Sequence, residues 1–205
     1  MDRENQARGQ VRLFGNPVLE ALTVMSAPAF VAMWAVVLPA VFAFAMIAAP
    51  TVWAPLLIGA GVVIWTLTEY VLHRFVFHFE ASSAVARRIV FIIHGNHHAS
   101  PNDPLRNLMP PIVSIPAGAM IWAAFAFLFG APGTWCFVGF ILGYVAYDLV
   151  HYACHQWPMR GRLARVLKTH HMRHHHLKVE GNYAITGMVW DRLLATRIAS
   201  GNEQV

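Results

Sequence analysis

Charge is scarce in this chain. Lys, Arg, Asp and Glu make up 12% of its 205 residues, against about 25% in an ordinary soluble domain. Hydrophobic residues supply 57%, and mean hydropathy is +0.48. So few charges cannot cover a water-facing surface, which points to a polytopic membrane protein. Cysteine is nearly absent as well. Cys136 and Cys154 have no C-x-x-C spacing, so no disulfide framework or thiolate metal site is expected. Acidic residues are few enough to leave a net charge of +5. With no RNP, zinc-finger or basic-helix signature beside it, that excess points to basic residues beside a membrane and to no nucleic-acid partner. The first sixteen residues are mostly polar and the apolar run after them is too long for a cleavable signal. The closing "GNEQV" carries no retention or lipidation motif.

What is present is apolar sequence in four stretches, each near the ~20 residues needed to cross a bilayer. They lie at about 22–49, 52–72, 112–129 and 134–152. The turns "AAPT" and "GAPG" pair them as two helical hairpins, and "GFILG" in the fourth is a G-x-x-x-G that permits close helix approach. The expected fold is all-α, one domain over 1–205: four transmembrane helices beneath a helical cap built from 73–111 and 153–205.

Every Lys and Arg falls outside these spans. Arg3, Arg8 and Arg12 precede the first. Arg74, Arg87, Arg88 and Arg106 lie between the second and third, and the remaining eight follow the fourth. Four crossings put all three regions on one side, which the positive-inside rule makes the cytoplasm. Both termini are therefore expected inside. The stretch "MRGRLARVLK" is expected to lie as a helix on anionic lipid.

All twelve histidines fall on that same side. His94, His97 and His98 stand at i, i+3 and i+4, an arc of about 100° on one helix face. His171, His174 and His175 repeat the H-x-x-H-H. His151 and His155 also share a face. His73 and His78 fit a straight helix worse, since five residues turn about 140°, and their convergence requires the helix to bend or end within "RFVF". His176 falls outside the tail's arc, and His170 lies at its edge. One histidine at a helix end is ordinarily a solvated or capping residue. Four groups on one membrane face are a transition-metal site. Ten rings exceed two closed four-ligand zinc shells and suit two ions with about five nitrogens each.

Around these residues the sequence resembles the fatty acid hydroxylase/sterol desaturase superfamily, most closely its fatty acid 2-hydroxylase branch. The strings are "EYVLHRFVFH", "HGNHHASPNDPLRNLMPP", "GYVAYDLVHYACH", "LKTHHMRHHH" and "GMVWDRLLAT"; "RNLMPP" and "GNYAIT" depart modestly from the branch. The resemblance implies a cytosolic cap holding two iron ions, with zinc able to replace them in purified protein, and dioxygen as co-substrate. Its ligands would be His73, His78, His94, His97, His98, His151, His155, His171, His174 and His175. The implied reaction is hydroxylation of a lipid acyl chain. A site just below the membrane interface favours carbon 2, near the polar end of the substrate. Other superfamily reactions on a sphingoid base, sterol or carotenoid are the alternative, and a metal transporter is a remote one. The chain has no room for a haem module, so a separate electron donor (cytochrome b5-like, ferredoxin or reductase) and a bacterial inner membrane are expected. Asp148 and Glu69, each one turn before a histidine, are expected to accept the second N–H of a ligating ring. Asp103, Tyr147, Asn182 and Asp191 are weaker candidates.

Overall fold

The computed structural model describes residues 11–199; Arg3, Arg8 and the closing "GNEQV" lie outside them. The described residues are helical, with no strand among them. A short helix α1 (Pro17–Ala21) precedes the first long helix α2 (Ala27–Ala48). Helix α3 (Ala54–Val71) runs without a break into a π-helical segment, Leu72–Phe77. Then come α4 (Ala84–Val90), a second π-helical segment (Phe91–Gly95) and α5 (Asn96–Ala99). Two more long helices, α6 (Pro111–Phe129) and α7 (Gly133–Gln156), precede α8 (Arg162–His176) and α9 (Val189–Leu193).

Local chemistry sets these boundaries. Ser26 caps α2, its hydroxyl accepting the N–H of Ala29, and Pro28 occupies the first turn, where a missing N–H does no harm. Pro111 opens α6 in the same way. Four helices are long and apolar enough to cross a membrane: Ala27–Ala48, Ala54–Phe77, Pro111–Phe129 and Gly133–Gln156. The fourth continues beyond the stretch expected from hydropathy, which keeps His155 on the same helix as His151.

The hairpin turns do not convey which helix is central. Helices α2, α3 and α6 all pack on α7, and α7 is buried over most of its length. Between lipid-soluble helices association rests on close packing, not on escape from water. At the α3–α7 crossing the backbones touch. A Cβ on Gly139 would sit 1.9 Å from the carbonyl oxygen of Ile58, and one on Gly61 would sit 2.0 Å from that of Cys136. Nearer the histidines, Trp65 packs edge-on against Phe140, Tyr144 and Tyr147. The crossing fixes the ends of α3 and α7, where His73, His151 and His155 emerge.

Two segments tie the cap to this frame. Ahead of α2, Glu20 accepts the backbone N–H groups of Leu13 (3.0 Å) and Phe14 (2.8 Å) and pairs with the buried Arg106. After α8, the loop at 180–187 returns to the end of α3. The basic stretch at the start of α8 does form a helix. Its arginine stripe, however, lies on the face opposite His171, His174 and His175, pointing away from the span ends and not onto them.

Candidate metal centre

Ten imidazoles converge in two clusters of five. His73, His78, His94, His98 and His174 form one, and His97, His151, His155, His171 and His175 form the other; within each, the ring nitrogens lie within 4.8 Å of one another. His176 is exposed and joins neither cluster.

The π-helical segments make this convergence possible. The N–H of His78 bonds the carbonyl of His73 at 3.2 Å, an i→i+5 turn that brings the two rings to one face. This is the departure from a straight helix that the five-residue spacing required. In the second π-helical segment the side chain of Asn96 donates to the carbonyls of Phe91 (3.0 Å) and Ile92 (2.8 Å), holding the wide turn closed.

Each H-x-x-H-H serves two centres, which an arc on one face does not reveal. His94 and His98 meet at 3.0 Å between Nε2 atoms in the first cluster, while His97 turns to His151 (2.9 Å) and His175 (3.0 Å) in the second. In α8 the assignment reverses. His171 and His175 meet at 3.1 Å in the second cluster, while His174 faces His98 (3.2 Å) and His78 (3.1 Å) in the first. Each cluster thus takes one span-end pair, positions i and i+4 of one motif, and i+3 of the other. Exchange of the middle histidine locks the 94–98 segment to α8.

The outer ring nitrogens are held by backbone carbonyls. Nδ1 of His73 donates to Tyr183 (2.5 Å), that of His174 to Gly181 (2.8 Å), and that of His151 to Asn107 (3.0 Å). A carbonyl only accepts, so the hydrogen sits on Nδ1 and each Nε2 lone pair is aimed into its cluster. Burial and neighbouring rings push His174 down to about 4 and His98 to about 3, and hold His94, His97 and His171 well below the usual histidine range. Neutral rings with converging lone pairs call for a Lewis acid. The spacing fits one. Nitrogens at right angles on an ion with bonds of about 2.1 Å lie about 3.0 Å apart, and tetrahedral ones about 3.4 Å. The adjacent ring pairs lie at 2.8–3.2 Å and all the nitrogens of a cluster within 4.8 Å of one another, so each cluster can share one ion.

Glu69 and Asp148 are placed differently from expectation, and neither accepts a ring N–H. The Glu69 carboxylate takes the N–H groups of Ile185 (3.1 Å), Thr186 (2.8 Å) and Gly187 (2.7 Å) and the Thr186 hydroxyl. It anchors the loop that carries Tyr183. Asp148 accepts the N–H of Met109 at 3.0 Å, two residues beyond the Asn107 carbonyl that holds His151. Both carboxylates fix loops whose carbonyls hold the rings. Asp191, a weaker candidate in the sequence, matters more. Fully buried, it accepts Tyr183 N (2.9 Å), Ala184 N (2.9 Å), the Thr196 hydroxyl (2.7 Å) and Nε2 of His170 (3.0 Å). Asn182 adds a bond to the His170 carbonyl at 3.0 Å. Tyr147 stacks on His151, while Asp103 caps the turn at Leu105 (3.0 Å), away from the rings. Sequence reasoning could not have found the three carbonyls, which have no side-chain signature. The one hint is "GN" at 181–182, a turn signal where both residues have positive φ.

A cavity of about 160 Å³ abuts both clusters. His94, His97 and His151 reach its wall, with Leu108, Ile112 and Val113 supplying an apolar side.

Comparisons with known proteins agree with this geometry. Residues 58–196 match the fatty acid hydroxylase family model. The chain is 35% identical over 143 residues to the dihydroceramide fatty acyl 2-hydroxylase FAH2 of Arabidopsis thaliana, covering 69% of this chain and 60% of that protein. It is 36% identical over 141 residues to the human fatty acid 2-hydroxylase, covering 67% of this chain and 38% of that protein. A solved structure of full-length scs7p, in which only the hydroxylase domain is visible, superposes with a TM-score of 0.84 at 31% identity, over 94% of this chain and 74% of that one. The chain therefore spans between 38% and 60% of the length of these two curated relatives. Four membrane-length helices, ten convergent imidazoles and a family match across both clusters lead to one conclusion: the chain belongs to the fatty acid hydroxylase family.

Proposed function

We propose that this chain is a membrane-bound hydroxylase that inserts one oxygen atom of dioxygen at carbon 2 of a lipid acyl chain, with the ten clustered histidines as ligands of two iron ions. The observation that carries the reading is the pair of five-histidine clusters, each with its ring nitrogens within 4.8 Å of one another. Bound there, the iron pair would supply the redox chemistry that activates dioxygen, which zinc in the same rings would not.

The chain's own residues do the rest. Carbonyls of Tyr183, Gly181 and Asn107 hold three Nε2 atoms on target, so little reorganisation is needed. The cavity beside both clusters takes the reacting carbon. Its apolar side begins where α6 enters the membrane, at Ile112 and Val113, so an acyl chain can run from the clusters into the bilayer. A lipid with its head group in water then offers carbons near its polar end. Fatty acids and N-acyl sphingolipids are the substrate classes that fit, in keeping with the names of the relatives. The positive-inside rule places the cap and both ends of the chain in the cytoplasm, and all 205 residues serve one catalytic unit.

The test is product analysis. Membranes from a host expressing the chain are incubated with deuterium-labelled acyl lipid, and the hydroxyl is located by mass spectrometry alongside metal analysis of the pure protein. A 2-hydroxy product and two irons per chain are expected. Oxidation confined to mid-chain carbons would refute the regiochemistry, and an active metal-free protein would refute the whole reading.

A further inference from the structure

The cavity beside the clusters has a polar wall group whose side-chain oxygen neither the fold nor the reaction as described uses. Asn107 is 2% exposed and stands in that wall with His94, His97 and His151. Its amide nitrogen donates to the carbonyl of Pro101 at 2.9 Å. That carbonyl only accepts, which assigns the NH2 group to the Pro101 end of the side chain and Oδ1 to the other. The backbone carbonyl of Asn107 is already taken by Nδ1 of His151 at 3.0 Å. Oδ1 itself is buried and has no partner among the described residues. A buried acceptor left unpaired costs free energy that a matching donor restores.

Two features indicate which donor fits. The first is rigidity. The loop is pinned on both sides of Asn107: the Leu105 carbonyl accepts the N–H of Met25 at 2.9 Å, and the N–H of Met109 donates to Asp148 at 3.0 Å. Arg106 next door is committed to Glu20 and to the Thr23 hydroxyl (3.2 Å). Oδ1 therefore cannot turn to another protein donor without breaking the His151 contact. The second is position. Asn107 touches the outer nitrogen of His151, whose Nε2 points into the second cluster, and it lies on the cap loop. The apolar side of the cavity, at Ile112 and Val113, is on α6. With the acyl tail on that side, Asn107 meets the head side of carbon 2. The atom attached to the acyl carbonyl carbon is two bonds, about 2.4 Å, from carbon 2. In a secondary amide that atom carries an N–H. In an ester or thioester it carries no hydrogen, and a free acid at neutral pH presents a carboxylate, which a carbonyl oxygen repels.

We propose that Asn107 determines substrate choice: its Oδ1 accepts the N–H of the substrate's acyl amide, so the chain takes an N-acylated lipid in preference to an ester, a thioester or a free fatty acid. This rests on the hydroxylase reading. Asn107 lies in "RNLMPP", a string in which this chain departs from the branch it resembles, so the preference belongs to this chain's own wall. A site that offers a buried group to one hydrogen discriminates against the analogue lacking it, because the group is then left unpaired. The bond is made in the bound substrate and kept through the reaction, so it acts on binding and not on the rate of the bound complex.

The experiment compares two ligands of one shape, the ethanolamide and the ethylene glycol monoester of dodecanoic acid, which differ by an N–H against an oxygen. The full chain in detergent is loaded with zinc, which binds the rings without redox turnover, and Kd is read from ligand-dependent thermal stabilisation. The iron-loaded chain then gives kcat and KM for each ligand. The wild type should bind the amide about tenfold or more tightly than the ester, with the difference in KM and not in kcat. Asn107→Leu, checked for metal content, should lower that amide-to-ester ratio at least about tenfold, and Asn107→Ala gives the same comparison should the leucine fail to fold. A general loss of packing would weaken both ligands together and leave the ratio where it was. A wild type that treats the two ligands alike, a ratio unchanged in both variants, or a glycol ester of 3-hydroxydodecanoic acid bound as tightly as the amide overturns the proposal; in the last case the donor Asn107 reads is on the tail side of carbon 2. Amide-selective binding, lost in the variants, by a chain whose iron form hydroxylates neither ligand would sink the catalytic reading and leave the role of Asn107 standing.

Discussion

Asp191→Ala should empty one metal site and spare the other. Asp191 holds the N–H groups of Tyr183 and Ala184, and the same loop presents the carbonyls of Gly181 and Tyr183 to His174 and His73. Both of those rings belong to the first cluster. The second cluster has its anchored ring, His151, on the Asn107 carbonyl of a different loop. Losing an outer partner of this kind weakens a metal site about 10- to 100-fold. The buried donors left behind, His170 included, should lower stability by about 3–5 kcal/mol. Asp191→Asn keeps one acceptor oxygen and the side-chain shape, so it serves as the variant that still folds. The assay is metal content per chain by mass spectrometry during a chelator titration, with thermal unfolding in parallel. The wild type should release two ions together at high chelator. The variants should release one early and keep one. Loss of both ions in parallel, or retention of both at wild-type affinity, would refute the division of outer support between the two loops.

Three further outcomes follow from the same geometry. His97→Ala and His174→Ala, each removing a ring from a different cluster, should abolish hydroxylation and lower iron content, whereas His176→Ala, exposed and outside both, should keep much of each; equal losses from all three would contradict the assignment. Gly139→Val places side-chain atoms where a Cβ already sits 1.9 Å from Ile58 oxygen and should cost at least about 1–3 kcal/mol. Gly59→Ala meets nothing within 4 Å and should stabilise the helix by up to about 1 kcal/mol; thermal unfolding in detergent separates the two, and equal effects would dismiss the close crossing. The metal-free protein should lose stability on acidification. His174 and His98 are held near 4 and 3, below the ~6.5 of an unfolded chain, so below pH ~6.5 the unfolded state binds protons that the folded state refuses. Stability from these groups is therefore complete above pH ~6.5 and falls as pH drops toward 4 and 3, at about 1.4 kcal/mol per pH unit per histidine. A melting temperature constant between neutral pH and pH 5 would show the rings are not buried neutral.

Much of this architecture is legible in one dimension because membranes impose one-dimensional rules. Scarce charge and four apolar runs define the spans. The H-x-x-H-H repeats identify the ring-bearing helices, since i, i+3 and i+4 fall on one face. The awkward five-residue gap between His73 and His78 even demanded a distortion there, and the chain meets it with a π-helical turn. Helical phase, however, only says that rings can point the same way. It does not say which ring goes to which ion.

That division was decided in three dimensions. His97 and His174 cross to the partner cluster because α8 lies against the 94–98 segment at an angle that no local pattern encodes. Glu69 and Asp148 were drawn by sequence neighbourhood to the nearest histidine. In the fold they reach loops 116 and 39 residues away instead, because unpaired N–H groups of a buried loop need an acceptor more than a ring already facing a carbonyl does. The sequence by itself determined the spans and the pool of nitrogen donors, both of which follow from local composition and period. Only the tertiary structure decided the pairing into two centres and the carbonyls that aim the rings, because each joins residues distant in the chain through backbone atoms or faces that carry no mark in the residue code.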